Sequence, residues 1–239
     1  EATVQVLGLS NIFGALLIVG RPMGRYSKCL VEERERSEKL LHNIMPKEIA
    51  DRLKGTDKPT ALENPDISVM MADIVNFTSF SEKVSADEVV GLLNDMFSRF
   101  DDLVDRFEVE KIKTIGDSYM VVAGLPEHRE DHATILCHLA LELHRVAADF
   151  TDNEGNPIRL RIGINSGPAV SGVIGKSKFA FDVWGDTINT ASRLESYGEP
   201  GKIHLSEKTY SMVEGKIDLK ASKQDVVMKG KGKLTTYLA

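Results

Sequence analysis

Cysteine is nearly missing from this 239-residue chain: only Cys29 and Cys137 occur, far apart and without metal-ligand spacing. That excludes a disulfide framework and points to a reducing compartment. A basic excess is missing as well. The 30 Lys and Arg against 36 Asp and Glu leave a formal net charge of −6. This argues against a general nucleic-acid binder, whose footprint is basic. There is no internal repeat and no low-complexity tract. The chain opens on Glu1 rather than Met, which reads as a fragment of a longer polypeptide. Its length allows one domain with a large core plus an extension.

Charge is absent from Ala2 to Gly20, where Asn11 to Gly20 is strongly apolar, and Arg21, Arg25 and Lys28 follow at once. The run is at the short end of what spans a bilayer, and the basic residues after it fit a cytoplasmic flank. Residues 1–20 read as the tail of a transmembrane helix; a buried or dimer-packing helix is the other reading. After Pro22 and Gly24, one helix is expected from Tyr26 to Leu53. Its seam of Tyr26, Leu30, Glu33, Ser37, Leu40 and Ile44 is an imperfect heptad with a polar middle. Such an arm is about 40 Å long, and a parallel pair of them would pass a signal from membrane to domain. Pro46 should kink it. The expected organisation is an apolar segment over 1–20, a signalling helix over 21–54, a linker over 55–65 and a catalytic domain over 66–239.

The domain proper alternates in type. Ile67 to Ala72 reads as a buried strand ending at Asp73. Glu82 to Phe107 holds a helix with Val89, Leu92, Leu93, Met96, Phe97 and Phe100 on one side. Lys111–Ile115 and Tyr119–Ala123 are strands joined by a Gly116-Asp117 turn. Asp131–Phe150 is an amphipathic helix and Arg159–Asn165 a strand. Strand, helix, strand, strand, helix, strand is the ferredoxin-like α+β arrangement, a βαββαβ core. It makes the first and third strands antiparallel neighbours, so Asp73 and Asp117 meet at one end of the sheet. Paired carboxylates there suit one or two hard divalent cations, although either Asp alone is equally a cap or a turn residue.

Other residues carry chemistry only in combination. From Phe181 to Ser196 the chain reads as a strand end, a Gly185 turn, an Asp186 N-cap and a helix. On that helix Asn189 and Arg193, at i and i+4, share a face opposite Ala191 and Leu194. One side can pack while the other offers an amide and a guanidinium to a phosphorylated ligand. Lys113 as donor beside Asp182 as acceptor is compatible with adenine, which presents N1 and an N6 amino group, and mismatched to guanine. The match does not by itself select adenine. Lys229 and Lys231 lie among glycines that let a backbone approach phosphate closely. His128 and His132, at i and i+4 in a charged helix start, read as surface residues.

Five separated segments together resemble the class III nucleotide cyclases. They are Met71–Thr78, Lys111–Met120, Arg161–Gly167, Phe181–Ser196 and Met228–Gly232, in the family's order. The resemblance covers about Ile44 to Leu238, and Glu38 to Pro46 is similar to the signalling helix of membrane-anchored bacterial cyclases. It implies that Asp73 and Asp117, with the backbone of Ile74, hold two Mg²⁺ or Mn²⁺ ions. It implies that Lys113 and Asp182 read adenine, where guanylyl cyclases of the family place Glu and Cys. Asn189 would orient the ribose, Arg193 stabilise charge on the α-phosphate, and Lys229 contact the triphosphate. The implied activity is conversion of ATP to 3′,5′-cyclic AMP at sites shared between the protomers of a homodimer, on the cytoplasmic face of the cell membrane. A guanylyl cyclase and a non-catalytic nucleotide-binding regulatory domain are the alternatives.

Overall fold

The computed structural model describes residues 31–39, 41, 44–55, 61–175, 178–228 and 230–239. The apolar segment 1–20, the start of the expected arm at Tyr26, the middle of the expected linker and Lys229 lie outside the described residues. No helix among the described residues is long and apolar enough to cross a membrane. Residues 31–39 are helical, and Arg34 donates to Glu38 one turn later at 3.3 Å. A short helix α1 (Lys47–Gly55) starts directly after Pro46, whose carbonyl accepts from the amides of Ile49 and Ala50.

The core follows the expected order. It runs β1 (Ala61–Ile74), α2 (Phe77–Ser81), α3 (Ala86–Phe107), β2 (Glu110–Ile115), β3 (Ser118–Ala123), α4 (His132–Ala148) and β4 (Leu160–Ile174). Then come β5 (Ala180–Trp184), α5 (Asp186–Ser196), β6 (Lys202–Ser206), α6 (Glu207–Val213), β7 (Ser222–Met228) and β8 (Gly232–Leu238). The sheet order is β2-β3-β1-β4-β6-β8-β7, with β5 folded back on β4. Its first four strands are the ferredoxin-like set, with β1 antiparallel to both β3 and β4. Strand β1 starts at Ala61, so the expected linker is already strand over its last five positions (61 to 65).

Side-chain alternation divides the sheet into two faces. Met70, Ala72 and Ile74 of β1, Tyr119, Val121 and Ala123 of β3, and Leu160, Ile162 and Ile164 of β4 join one core cluster. Into it α3 sends Met96, Phe100, Leu103 and Val104, and α4 sends Leu136, Leu139 and Leu143. Helix α3 begins in a capping box: the Glu88 amide donates to Ser85 Oγ at 3.3 Å, and the Ser85 amide to Glu88 Oε2 at 2.8 Å.

On the other face α5 lies along β4. A Cβ on Gly163 would stand 2.2 Å from the Glu195 amide nitrogen and 2.4 Å from the Ala191 carbonyl oxygen, so backbone touches backbone there. Asn165 Nδ2 donates to the Thr187 carbonyl at 3.0 Å. At the far end of the helix, His204 Nδ1 lies 2.9 Å from the Leu194 carbonyl oxygen.

Two local expectations are corrected. Gly185, at φ 141°, is the N-cap of α5, and Asp186 is its first helical residue with no cap bond. The Asp186 carboxylate pairs instead with Lys231. His132 is 1 % exposed, not a surface residue. Its Nδ1 is 2.7 Å from Ser68 Oγ, which meets Ser166 Oγ at 2.6 Å and through it Thr209 at 3.0 Å. Asp66 closes the far side of the ring at 3.4 Å from Nε2. Ser68 is fully buried, so this Asp-His-Ser order is a polar bolt joining α4, β1, β4 and α6, not a nucleophile.

Gly163→Ala therefore forces α5 off the sheet. The expected loss is about 3 kcal/mol, the upper end of ordinary overpacking costs, measured by denaturant unfolding. Unchanged stability would show that the helix has room to move.

Candidate functional site

Strand pairing brings the two predicted carboxylates together. Asp73 lies at the end of β1, opposite Arg161 of β4, and Asp117 occupies the tight turn between β2 and β3. Burial first, and the neighbouring Asp73 charge second, push the Asp117 carboxyl up to about 6, while the Ile74 amide partly offsets the shift. Like charges held this close are an unfavourable arrangement that a cation relieves. Among the described residues no group of three or more His, Cys, Asp or Glu forms a closed metal cage. Two carboxylates and a backbone group, with the other positions left to phosphate oxygens and water, match the way Mg²⁺ is held. Asp73, Asp117 and Ile74 thus fit Mg²⁺ or Mn²⁺.

Two residues without a predicted role stand beside this pair. Arg161 Nη2 donates to Asp73 Oδ2 at 2.9 Å, and Arg161 Nε lies 3.4 Å from Glu195 Oε1. Glu195 is 8 % exposed, and burial pushes its carboxyl up to about 7. The signal for Arg161 was present in the sequence: it precedes Gly163 and Asn165 at alternate positions, all three on the α5 face. Glu195 sits next to Leu194 on α5 and carried no comparable sign.

The base-reading candidates also meet. Lys113 Nζ donates to Asp182 Oδ2 at 2.5 Å, from β2 to β5. Asp182 is largely covered, its side chain 15 % exposed against 40 % for Lys113. The other Asp182 oxygen accepts from the Val183 amide at 2.8 Å, which fixes the carboxylate's plane. A fixed acceptor and a more mobile donor side by side form a hydrogen-bonding edge for a flat heterocycle.

The third group lies on α5. Ala191 and Leu194 are fully buried, Asn189 is exposed and Arg193 half-buried, as the helical wheel requires. The β7–β8 turn closes over this helix: a Cβ on Gly230 would lie 3.7 Å from Arg193 Nη2. Arg193 Nη1 is buried and has no hydrogen-bond partner among the described residues. An unsatisfied buried guanidinium nitrogen under a glycine turn suits an anion. Lys229, predicted to join it, is not among the described residues. Arg193 and Glu195 are two positions apart, about 200° round the helix. Since Glu195 faces Arg161 and Asp73, Arg193 points away from the acidic pair.

The sequence model described as "Adenylate and Guanylate cyclase catalytic domain" matches residues 60–239. An adenylate cyclase of Mycobacterium tuberculosis is 40% identical over 218 residues, 91% of this chain and 49% of the relative. The receptor-type guanylate cyclase gcy-28 of Caenorhabditis elegans is 42% identical over 211 residues, 86% of this chain and 16% of the relative. This chain thus spans about half or less of the curated relatives' length. Among solved structures, the catalytic core of a rhodopsin-guanylyl cyclase with converted specificity, in complex with ATPαS, superposes with a TM-score of 0.68 at 40% identity. That match covers 74% of this chain and 96% of the other.

The raised Asp117 carboxyl has a consequence for pH. A carboxyl whose folded value, about 6, exceeds its ordinary 3.8 favours the protonated fold. Stability without metal then falls as pH rises across that window and stays low above it. Asp117→Asn should melt higher than the parent at pH 7.5 in chelator and equal to it near pH 4. Mg²⁺ should raise the melting temperature of the parent more than that of the variant. Equal melting of the two proteins at pH 7.5 in chelator would contradict the like-charge reading.

Proposed function

Because this chain belongs to the adenylate and guanylate cyclase family, we propose that it is an adenylyl cyclase, converting ATP to 3′,5′-cyclic AMP and pyrophosphate. The observation that carries the choice of base is the Lys113–Asp182 pair at 2.5 Å. Adenine takes a donor at N1 and an acceptor at its N6 amino group, which Lys113 and Asp182 supply; guanine presents the reverse edge. A site built to bond one edge leaves its own polar groups unpaired on the other, and discrimination follows from that cost. The neighbouring guanylyl cyclase core with converted specificity, which holds ATPαS, is in keeping with this reading.

The reaction is an in-line attack of the ribose 3′-oxygen on the α-phosphorus, with pyrophosphate leaving. Asn189 holds the ribose so that the 3′-hydroxyl faces the phosphorus. Arg193 directs its unsatisfied nitrogen at the non-bridging α-phosphate oxygens, where charge grows in the transition state. Lys229 contacts the triphosphate. Asp73 and Asp117, with the Ile74 backbone, hold two Mg²⁺ or Mn²⁺ ions. Such ions lower the pKa of an attacking hydroxyl and neutralise a leaving phosphate. No protein nucleophile is needed, because positioning and charge stabilisation carry phosphoryl transfer.

One chain does not hold a complete site, since Arg193 and the acidic pair lie on opposite sides of α5. Two copies related by a two-fold axis bring the acids of each against the Arg193 of the other and form two sites. The N-terminal segment or its upstream continuation tethers this parallel homodimer to the cytoplasmic face of the membrane, with the arm relaying its signal.

Purified chain should form cyclic AMP from ATP with Mg²⁺ or Mn²⁺ and turn over GTP poorly. Lys113→Glu with Asp182→Cys should exchange that order; a parent that prefers GTP would refute the base assignment. Arg193→Ala should lower kcat roughly 100-fold with a smaller change in KM. Asp73→Ala and Arg193→Ala should each leave only a small residue of activity alone. Mixed in equal amounts they should recover about a quarter of parental activity, because half of the dimers are hybrids with one intact site. No recovery in a mixture shown to exchange subunits would remove the shared site.

A further inference from the structure

Strand β2 carries two lysines, Lys111 and Lys113, and regular alternation would point them to the same face. The pairing with β3 differs: Lys111 lies opposite Val121, and Lys113 opposite Met120, so two steps on β2 match one on β3. Ile112 is the extra residue of a β-bulge. Opposed residues share a face, so Lys111 joins Val121 and Tyr119 on the core side while Lys113 turns to the α5 side. Without the bulge Lys113 would not reach Asp182.

A compact cluster stands behind that bulge. Lys111 Nζ donates to both Asp101 carboxylate oxygens, at 2.6 and 2.7 Å. The Tyr119 hydroxyl donates to the same carboxylate. The Lys111 ammonium lies 5.1 Å from the centroid of the Tyr119 ring, within cation–π range. Tyr119 is fully buried and edge-on to Phe100, with centroids 5.4 Å apart, and Phe97 lies at 5.2 Å. Burial and the Asp101 carboxylate push the Tyr119 hydroxyl up, so it remains a donor. One carboxylate from α3 thus ties β2 to β3 at the residue before the bulge. Among the described residues β2 is an edge of the sheet, with strand bonds on one side. A slip of one residue there would carry Lys113 to the wrong face.

We propose that Asp101, Lys111 and Tyr119 are positioning residues for nucleotide choice, a clamp that holds the β2 bulge and so aims Lys113 at the purine beside Asp182. This rests on Lys113 and Asp182 being the base-reading pair. None of the three touches the substrate; they act through the register of β2.

The test compares kcat/KM for ATP and for GTP in the full chain carrying Lys111→Met, Asp101→Asn, Lys111→Arg or Lys113→Ala, with the melting temperature of each. In Lys111→Met and Asp101→Asn the ATP-to-GTP ratio should fall about tenfold, through KM for ATP rather than kcat. Lys111→Arg, which keeps the charge and the carboxylate contact, should restore most of it. Lys111→Met added to Lys113→Ala should lower the ratio no further. A purely structural role would lower the melting temperature and both activities together while leaving the ratio unchanged, and that result overturns the clamp. If Lys113→Ala lowers the ratio but the clamp variants do not, the clamp fails and the base reading stands. If Lys113→Ala leaves the ratio untouched, the base reading itself fails and takes the clamp with it. Should Lys111→Met not fold, the Asp101→Asn ratio decides.

Discussion

The contact on which the molecule turns is the backbone of α5 resting on the bare Cα of Gly163. No side chain fits between them, since even a methyl would meet the Glu195 amide at 2.2 Å. This closeness sets the height of the helix above the sheet, and with it the reach of every group the helix carries. Asn165 and the Thr187 carbonyl fix one end, and His204 with the Leu194 carbonyl fixes the other. A helix anchored at both ends and in the middle has no freedom to roll. Its inward side must then be Ala191 and Leu194, and Asn189 with Arg193 must look outward.

The same anchoring separates the charges. Glu195 is carried down beside Arg161 and the acidic pair, and burial there raises the Glu195 and Asp117 carboxyls to about 7 and 6. Arg161 is the local counter-charge, shared between Asp73 and Glu195. Across the sheet the Lys113–Asp182 pair is nearly neutral as a unit and largely satisfied. Arg193, on the far side of α5, has a nitrogen with no hydrogen-bond partner among the described residues. An acidic locus, a hydrogen-bonding edge and a guanidinium are thus held out by the sheet and α5, the first and the last on opposite sides of the helix.

The adjacency of Asp73 and Asp117 was legible because the order of strands and helices leaves few topologies, and the ferredoxin-like one makes β1 and β3 neighbours. The two sides of α5 were legible because helical period alone separates Asn189 and Arg193 from Ala191 and Leu194. Other features depended on packing. Asp186 looks like a cap, yet the φ of Gly185 starts the helix one residue earlier and Lys231 claims the carboxylate. His132 follows Glu130 and Asp131 in sequence, but the Ser68 hydroxyl and Asp66 gave its ring somewhere to go inside. Arg161 and Glu195 needed the helix docked on β4 before they could be seen as partners of Asp73.

Sequence by itself determined the family and the α+β core and named the candidate site residues, because these follow from local period, strand order and five spaced motifs. Tertiary structure alone decided which way those residues point. A bulge in β2 turns Lys113 toward Asp182, and a glycine contact turns Arg193 away from Asp73. Both depend on atoms brought together from distant parts of the chain, where no pattern of neighbours along the sequence records the distance.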